Sequence, residues 1–168
     1  MKAKLKQYRD PVLSVSGDPI GFYEREFYPF SNFSSFQVEW RGRLWLTSEH
    51  AYQAAHFFET APDVVEKIYE SRSAHESEKI AKANGDKAPK NWEKIKIDIM
   101  EDICKHKLEQ HPYVKRKLLQ TGKSLLAEDS PKDSFWGWGP DKKGRNELGK
   151  VWMRLRDWLI ATETTERI

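Results

Sequence analysis

The sequence predicts an α+β fold, a mostly helical single domain with a small N-terminal β-hairpin. Three observations predict it. Phe36, Val38 and Trp40 alternate with polar residues ahead of the tight-turn pair Arg41-Gly42. From Thr47 onward, apolar residues recur at helical spacing between capping residues. The 168 residues are enough for one substantial core and too few for two comfortable ones.

Taken in order, residues 1–20 read as an N-terminal arm broken by Pro11, Gly17 and Pro19, and residues 21–168 as the domain. Gly21 to Arg25 can form a short strand before the loop Tyr28-Pro29-Phe30-Ser31-Asn32-Phe33. The stretch from Phe36 to Trp40 then pairs with Arg43 to Leu46 across Arg41-Gly42 as a hairpin. Thr47 or Ser48 caps a helix to about Phe58. Thr60 with Asp63 has capping-box spacing for a helix to about Arg72. Ser73 with Glu76 has the same spacing for the next, which Gly85 ends. Asn91 caps a long helix to about Gln110. Pro112 suits the first turn of a helix that Gly122 stops. Ser124 to Ser130 reads as a strand. Residues 130–149 hold four Gly and two Pro, the composition of a rigidly punctuated loop. Asn146 caps the last helix, where Leu148, Val151, Trp152, Leu155, Trp158 and Leu159 repeat at helical spacing.

Composition narrows the function. The 29 basic and 26 acidic residues leave a net charge of +3, too balanced by itself to indicate a nucleic-acid binder and compatible with an anionic ligand. No run approaches the ~18 apolar residues of a membrane helix, and the start has no apolar signal core. Cys104 is the lone cysteine, which removes an internal disulfide framework. It fits a reducing compartment, cytoplasmic or, in a eukaryote, nuclear. The five histidines show no pair at metal-ligand spacing with carboxylate support, so no metal is expected; no cofactor is expected either. Twelve of the 21 aromatic residues lie between Phe22 and Phe58, where they either fill a core or line a pocket for a flat ligand.

Three segments carry candidate chemistry. On the helix after Thr47, Ala51, Ala54, Ala55 and Phe58 share one side. Glu49, Gln53 and His56 share the opposite side with Tyr52 beside them. That polar side is either a solvated face or the wall of a pocket, with Glu49 in the first turn where the helix dipole favours its anion. On the long helix, Trp92, Ile95, Ile99, Met100 and Ile103 form an apolar stripe with Lys96 inside it. Lys96 either packs its stem and snorkels to water or faces an apolar cavity that leaves some amine neutral and nucleophilic. Lys107, at nearly the same angle by the helix end, is expected to snorkel. In the loop Ser130 to Asn146, the glycines permit close backbone approach to a ligand and the tryptophans can stack on a base. They can equally anchor an ordinary loop.

Together these segments resemble the NADAR (YbiA-like) family. The matching residues are Pro29-Phe30-Ser31-Asn32-Phe33, the run from Trp45 to Ala54 (WLTSEHAYQA) and the run from Asn91 to Met100 (NWEKIKIDIM). The run from Asp133 to Gly149 (DSFWGWGPDKKGRNELG) follows, then Val151, Met153 and Arg156. Order and spacing hold from about residue 22 to 158. Relatives usually carry Lys where this chain has His56.

The resemblance implies hydrolysis of N-glycosidic bonds. The family's substrates are phosphorylated ribosylaminopyrimidine intermediates of riboflavin synthesis and ADP-ribose on guanine in DNA. In both, ribose C1 is joined to an exocyclic amine. Such a sugar can open to a C1 imine, which a lysine attacks to displace the base; water then hydrolyses the Schiff base. On this reading Lys96 is the nucleophile and Glu49 the acid/base. Trp45, Trp92 and Trp136 are stacking candidates. Asn32, Gln53, Asp133 and Asn146 bond sugar or phosphate, Gly137 gives close backbone approach, and His56 donates to a phosphate or moves protons near neutral pH. The expected partners are a small nucleotide or ADP-ribosylated guanine with transient DNA contact, and no membrane. The alternative is a module that binds NAD or ADP-ribose without cleaving it.

Overall fold

The computed structural model describes residues 17–166, so most of the expected arm, residues 1–16, lies outside the described residues. In chain order the elements are β1 (Ile20–Phe22), β2 (Val38–Trp40), β3 (Arg43–Trp45), α1 (Ser48–Ala55), α2 (Pro62–Glu70), α3 (Ala74–Ala83), α4 (Trp92–Gln110), α5 (Pro112–Gln120), β4 (Leu126–Glu128) and α6 (Glu147–Glu166). Short 3-10 turns occupy Arg25–Phe30 and Gly85–Lys87. The fold is α+β and mostly helical, as expected. The chain divides into two compact units, Asn32–Pro112 and the remainder on either side of it.

In the unit Asn32–Pro112, β2 and β3 pair antiparallel with Val38 opposite Trp45 and Trp40 opposite Arg43. Arg41 (φ 49°) and Gly42 (φ 76°) both take left-handed backbone, the primed turn whose twist matches a two-residue hairpin. Glycine adopts it without strain, while Arg41 costs about 1–2 kcal/mol. Arg41 also lays its guanidinium over the Trp40 ring at 4.4 Å. Trp40 and Trp45 are buried, and each indole N–H is satisfied. Trp40 donates to Asp102 Oδ2 (2.8 Å) and Trp45 to the Trp40 carbonyl (3.0 Å). Each buried ring contributes about 2–3 kcal/mol. The outer edge of β2 is closed by one side chain: Glu39 N–H donates to Gln110 Oε1 (2.7 Å), and Gln110 Nε2 donates back to the Glu39 carbonyl (2.8 Å).

Helix starts follow the caps, with two corrections. Thr47 Oγ1 accepts from His50 N–H, and Ser73 Oγ accepts from Glu76 N–H. Thr60, however, caps nothing. The helix starts at Pro62, whose fixed φ suits the first turn and whose missing N–H is no loss there. Asn91 makes no side-chain cap on α4 either. His50, fully buried, ties α1 down: Nε2 lies 3.2 Å from the Ser71 carbonyl and Nδ1 2.8 Å from Thr47 Oγ1. Burial first of all lowers its pKa.

In the other unit, β1 and β4 pair in parallel, Ile20 with Leu126 and Phe22 with Glu128. Phe22 meets Phe30 edge-on at 5.8 Å, and Phe30 meets Trp152 of α6 at 5.1 Å. Trp152 Nε1 donates to the Phe30 carbonyl at 2.9 Å. Buried Arg156 donates to Thr121 Oγ1 and to the Ser124 carbonyl, both at 2.9 Å, fastening α6 to the end of α5. Among the described residues, no helix is long and apolar enough to cross a membrane.

Candidate active site

Within the unit Asn32–Pro112, the polar side of α1 is not a solvated face. Glu49 is only 6% exposed, and its Oε1 accepts from Gln53 Nε2 at 2.6 Å. A carboxylate so far from water requires donors. The start of α1 is held by the preceding loop, because the Glu49 N–H donates to the Asn32 carbonyl at 3.1 Å. That contact satisfies one of the helix's first amides.

The same side of α1 packs on α4. Trp92 meets both Tyr52 (ring centroids 5.6 Å) and His56 (3.7 Å, planes 32° apart), and these two also touch each other edge-on at 5.2 Å. Lys96 follows Trp92 by one helical turn, so both belong to the face of α4 that meets α1. The Lys96 side chain is 13% exposed and pairs with Glu93 Oε2 at 2.6 Å. Its charge also acts on His56. Glu49, Gln53, Tyr52, His56, Trp92 and Lys96 therefore belong to one α1–α4 junction.

Three expectations are corrected. His56 does not titrate near neutrality: burial first of all pushes its pKa down to about 4, and the Lys96 charge adds to this. Trp45 is a core residue, fully buried against Phe58 and Tyr69, with no surface for a base to stack on. Lys107 does not snorkel. It is fully buried, donates to Ser34 Oγ at 2.8 Å and lies 5.3 Å from the centre of the Phe36 ring. Burial pushes its pKa down to about 7. A helical wheel places Lys107 with Met100 and Cys104, yet proximity to a helix end had argued for water. The side chain instead turns under the Ser34–Phe36 loop.

Asn32 is buried, with Nδ2 3.0 Å from Met100 Sδ and Oδ1 4.0 Å from Cys104 Sγ. Its side chain is engaged by α4, and its carbonyl supports Glu49. Sequence reasoning missed Glu93 as the partner of Lys96, though its place three residues earlier on the helix was a usable signal.

The remaining expected residues lie in the other unit, each with a local job. Asp133 Oδ1 accepts from the N–H groups of Phe135 and Trp136, both at 2.8 Å, forming an Asx turn. Half-buried Trp136 meets Phe135 edge-on at 4.9 Å. A side chain on Gly137 would come within 2.6 Å of the Glu128 carbonyl and 2.8 Å of the Asp133 carbonyl, so only glycine fits there. Asn146 Nδ2 donates to the Leu126 carbonyl (2.8 Å), and its Oδ1 accepts from Glu128 N–H (2.9 Å). It clamps β4 rather than capping α6 through its side chain. The first amides of α6 are met by loop carbonyls instead, Glu147 by Phe135 and Leu148 by Trp136, both at 3.0 Å. Among the described residues, no three His, Cys, Asp or Glu side chains group as a metal site would require.

Comparison with known proteins adds to this geometry. The NADAR domain family matches residues 21–160. A riboflavin biosynthesis protein of Zea mays, chloroplastic PYRR, is 35% identical over 91% of this chain, which spans 27% of that longer protein. An N-glycosidase of Nostoc punctiforme is 34% identical over 76% of this chain and 83% of its own length. N-glycosidase YbiA of Escherichia coli is 33% identical over 83% of this chain and 88% of its own. The NMR structure of E. coli YbiA superposes with a TM-score of 0.80 at 30% identity, covering 94% of this chain and 95% of that one.

Proposed function

The chain belongs to the NADAR domain family, and from that premise we propose that it hydrolyses the bond between ribose C1 and an exocyclic amine of a heterocycle through a lysine Schiff base. Curated relatives that are N-glycosidases over most of both chains place it among enzymes that hydrolyse N-glycosidic bonds. The substrate is a phosphorylated ribosylaminopyrimidine or ADP-ribosylated guanine, the latter with transient DNA contact.

The observation that carries the reading is the α1–α4 junction, where α1 brings a buried carboxylate held by Gln53 and a histidine ring lying on Trp92, and α4 brings an amine paired with Glu93 one helical turn after that tryptophan. The furanose opens to a C1 imine, with Glu49 exchanging the proton that ring opening requires. The Lys96 amine adds to C1, and the C1–N bond to the base breaks as the leaving amine takes a proton from the Glu49 carboxyl. Water then adds to C1 and the C1–Nζ bond breaks, returning Lys96 and releasing a reducing sugar. One water is consumed and no redox change occurs. Glu93 beside Lys96 offers a second carboxylate to accept the ammonium proton before attack.

The test is direct. The purified chain is incubated with a phosphorylated ribosylaminopyrimidine and with ADP-ribosyl-guanine DNA, and free base is measured. Release from either supports the reading. Saturable binding of ADP-ribose with no release from either substrate contradicts it and leaves a binding module.

A further inference from the structure

His56 makes a specific pattern of contacts that the reaction above does not use. Its Nδ1 lies 3.1 Å from the Gln53 carbonyl and 3.2 Å from the Tyr52 carbonyl. Both partners are oxygens that only accept, so Nδ1 carries the hydrogen. In neutral imidazole the other nitrogen, Nε2, then bears a lone pair. Nε2 makes no hydrogen bond among the described residues. Because Nδ1 faces the helix's own backbone, Nε2 on the far side of the ring faces away from it. The ring cannot easily swivel: it lies on Trp92 at 3.7 Å, meets Tyr52 edge-on at 5.2 Å and stacks near Phe57 at 5.6 Å.

We propose that His56 is a specificity residue whose Nε2 accepts a hydrogen bond from a donor group of the ligand, a ribose hydroxyl or a heterocycle N–H, and that it takes no phosphate and moves no proton. The inference rests on the α1–α4 junction being the substrate site. A lone pair fixed in this direction repels phosphate oxygens, which are themselves acceptors. Protonation would create a second donor, but burial opposes it most strongly and the positive charge of Lys96 adds to this, outweighing the Gln53 and Tyr52 carbonyls and Glu93, which favour it. The acceptor therefore persists at neutral pH. A lysine at this position would present a donor and a charge. His56 thus reads a donor of the ligand, where a lysine would read an acceptor.

Two measurements test it. The first is a long-range proton–nitrogen spectrum of the 15N-labelled full chain at pH 7, with His56 assigned by loss of its signals in His56→Gln. It should show the Nδ1–H tautomer with an unprotonated Nε2, and Nε2 should shift upfield as ligand saturates the site. Ribose 5-phosphate and the free base, titrated separately, distinguish the hydroxyl from the N–H donor. An Nε2–H tautomer, or an Nε2 resonance indifferent to both ligands and to ADP-ribose, overturns the proposal.

The second measurement compares variants. His56→Phe keeps a flat ring on Trp92 and should hold its melting temperature within a few degrees. It should raise KM or Kd roughly three- to tenfold with kcat little changed, the scale of one lost neutral hydrogen bond. His56→Lys should weaken binding at least as much. Wild-type affinity in both variants overturns the proposal. A wild-type chain that releases no base contradicts the proposed reaction instead, and the spectrum still decides the role of His56.

Discussion

The Gln53 side-chain amide donates to Glu49 Oε1 at 2.6 Å, one helical turn away on the side of α1 that packs on α4. A solvated pair at this spacing contributes only a few tenths of a kcal/mol. Here the carboxylate is nearly cut off from water, so the amide fixes its direction.

Glu49→Gln keeps the shape of the side chain and removes its capacity to take up and give back a proton. Base release should fall roughly a hundredfold or more while the melting temperature holds, the scale of lost general acid/base catalysis. Near-normal turnover by the purified variant would take Glu49 out of the mechanism.

Lys107 should govern stability at alkaline pH. Its pKa falls from 10.5 to about 7 on folding. Between those values the unfolded chain binds more protons than the native one, so this residue makes stability rise as pH rises from about 7 to 10.5. Below pH 7 the charge is buried in the native state and its cost is fully present. Lys107→Met removes that cost and leaves Ser34 without this donor. Urea unfolding should therefore find the variant's stability, relative to wild type, highest near pH 7 and lower by up to a few kcal/mol near pH 10. Parallel curves for the two proteins would contradict the burial.

His56 acts on the acid side. Its pKa drops from 6.5 to about 4, so the unfolded chain binds more protons between those values. Stability from this residue is lost as pH falls from about 6.5 to 4. His56→Phe should flatten the pH dependence of stability in that window and run parallel to wild type above pH 7. An unchanged slope would show that the ring is not buried as described.

Asn146→Ala should cost about 1–3 kcal/mol, because it orphans the Leu126 carbonyl and the Glu128 N–H that its side chain satisfies. Its left-handed backbone (φ 51°) adds strain for alanine. Chemical denaturation measures this directly. Unchanged stability with lost substrate binding would assign Asn146 to the ligand instead.

Local patterns made the hairpin and most helices legible. The Val38–Trp40 alternation and Arg41-Gly42 each had one physical reading. Glu49, Gln53 and His56 were grouped correctly by helical spacing, but their burial depended on α4, which spacing cannot show. The pairing of Ile20 with Leu126 joins strands at opposite ends of the chain, beyond any local signal. Thr60 misled because a capping box and Pro62 compete over the same few residues, and proline fixes the backbone more firmly. Lys107 misled because a lysine near a helix end ordinarily reaches water, whereas here the loop holding Ser34 covers it. Asn146 has a capping residue's identity, yet strand β4 takes its side chain.

A covalent imine between ribose C1 and Lys96 is the intermediate on which the proposed reaction turns. Borohydride added during turnover should reduce that imine and leave a stable sugar adduct, and mass spectrometry should find it on the peptide holding Lys96. Lys96→Arg keeps the charge beside Glu93, but its guanidinium stays protonated. It should bind substrate, release no base and trap nothing. Full turnover by the Arg variant, or wild-type turnover under borohydride with no lysine adduct, would contradict the account and point to direct attack of water at C1.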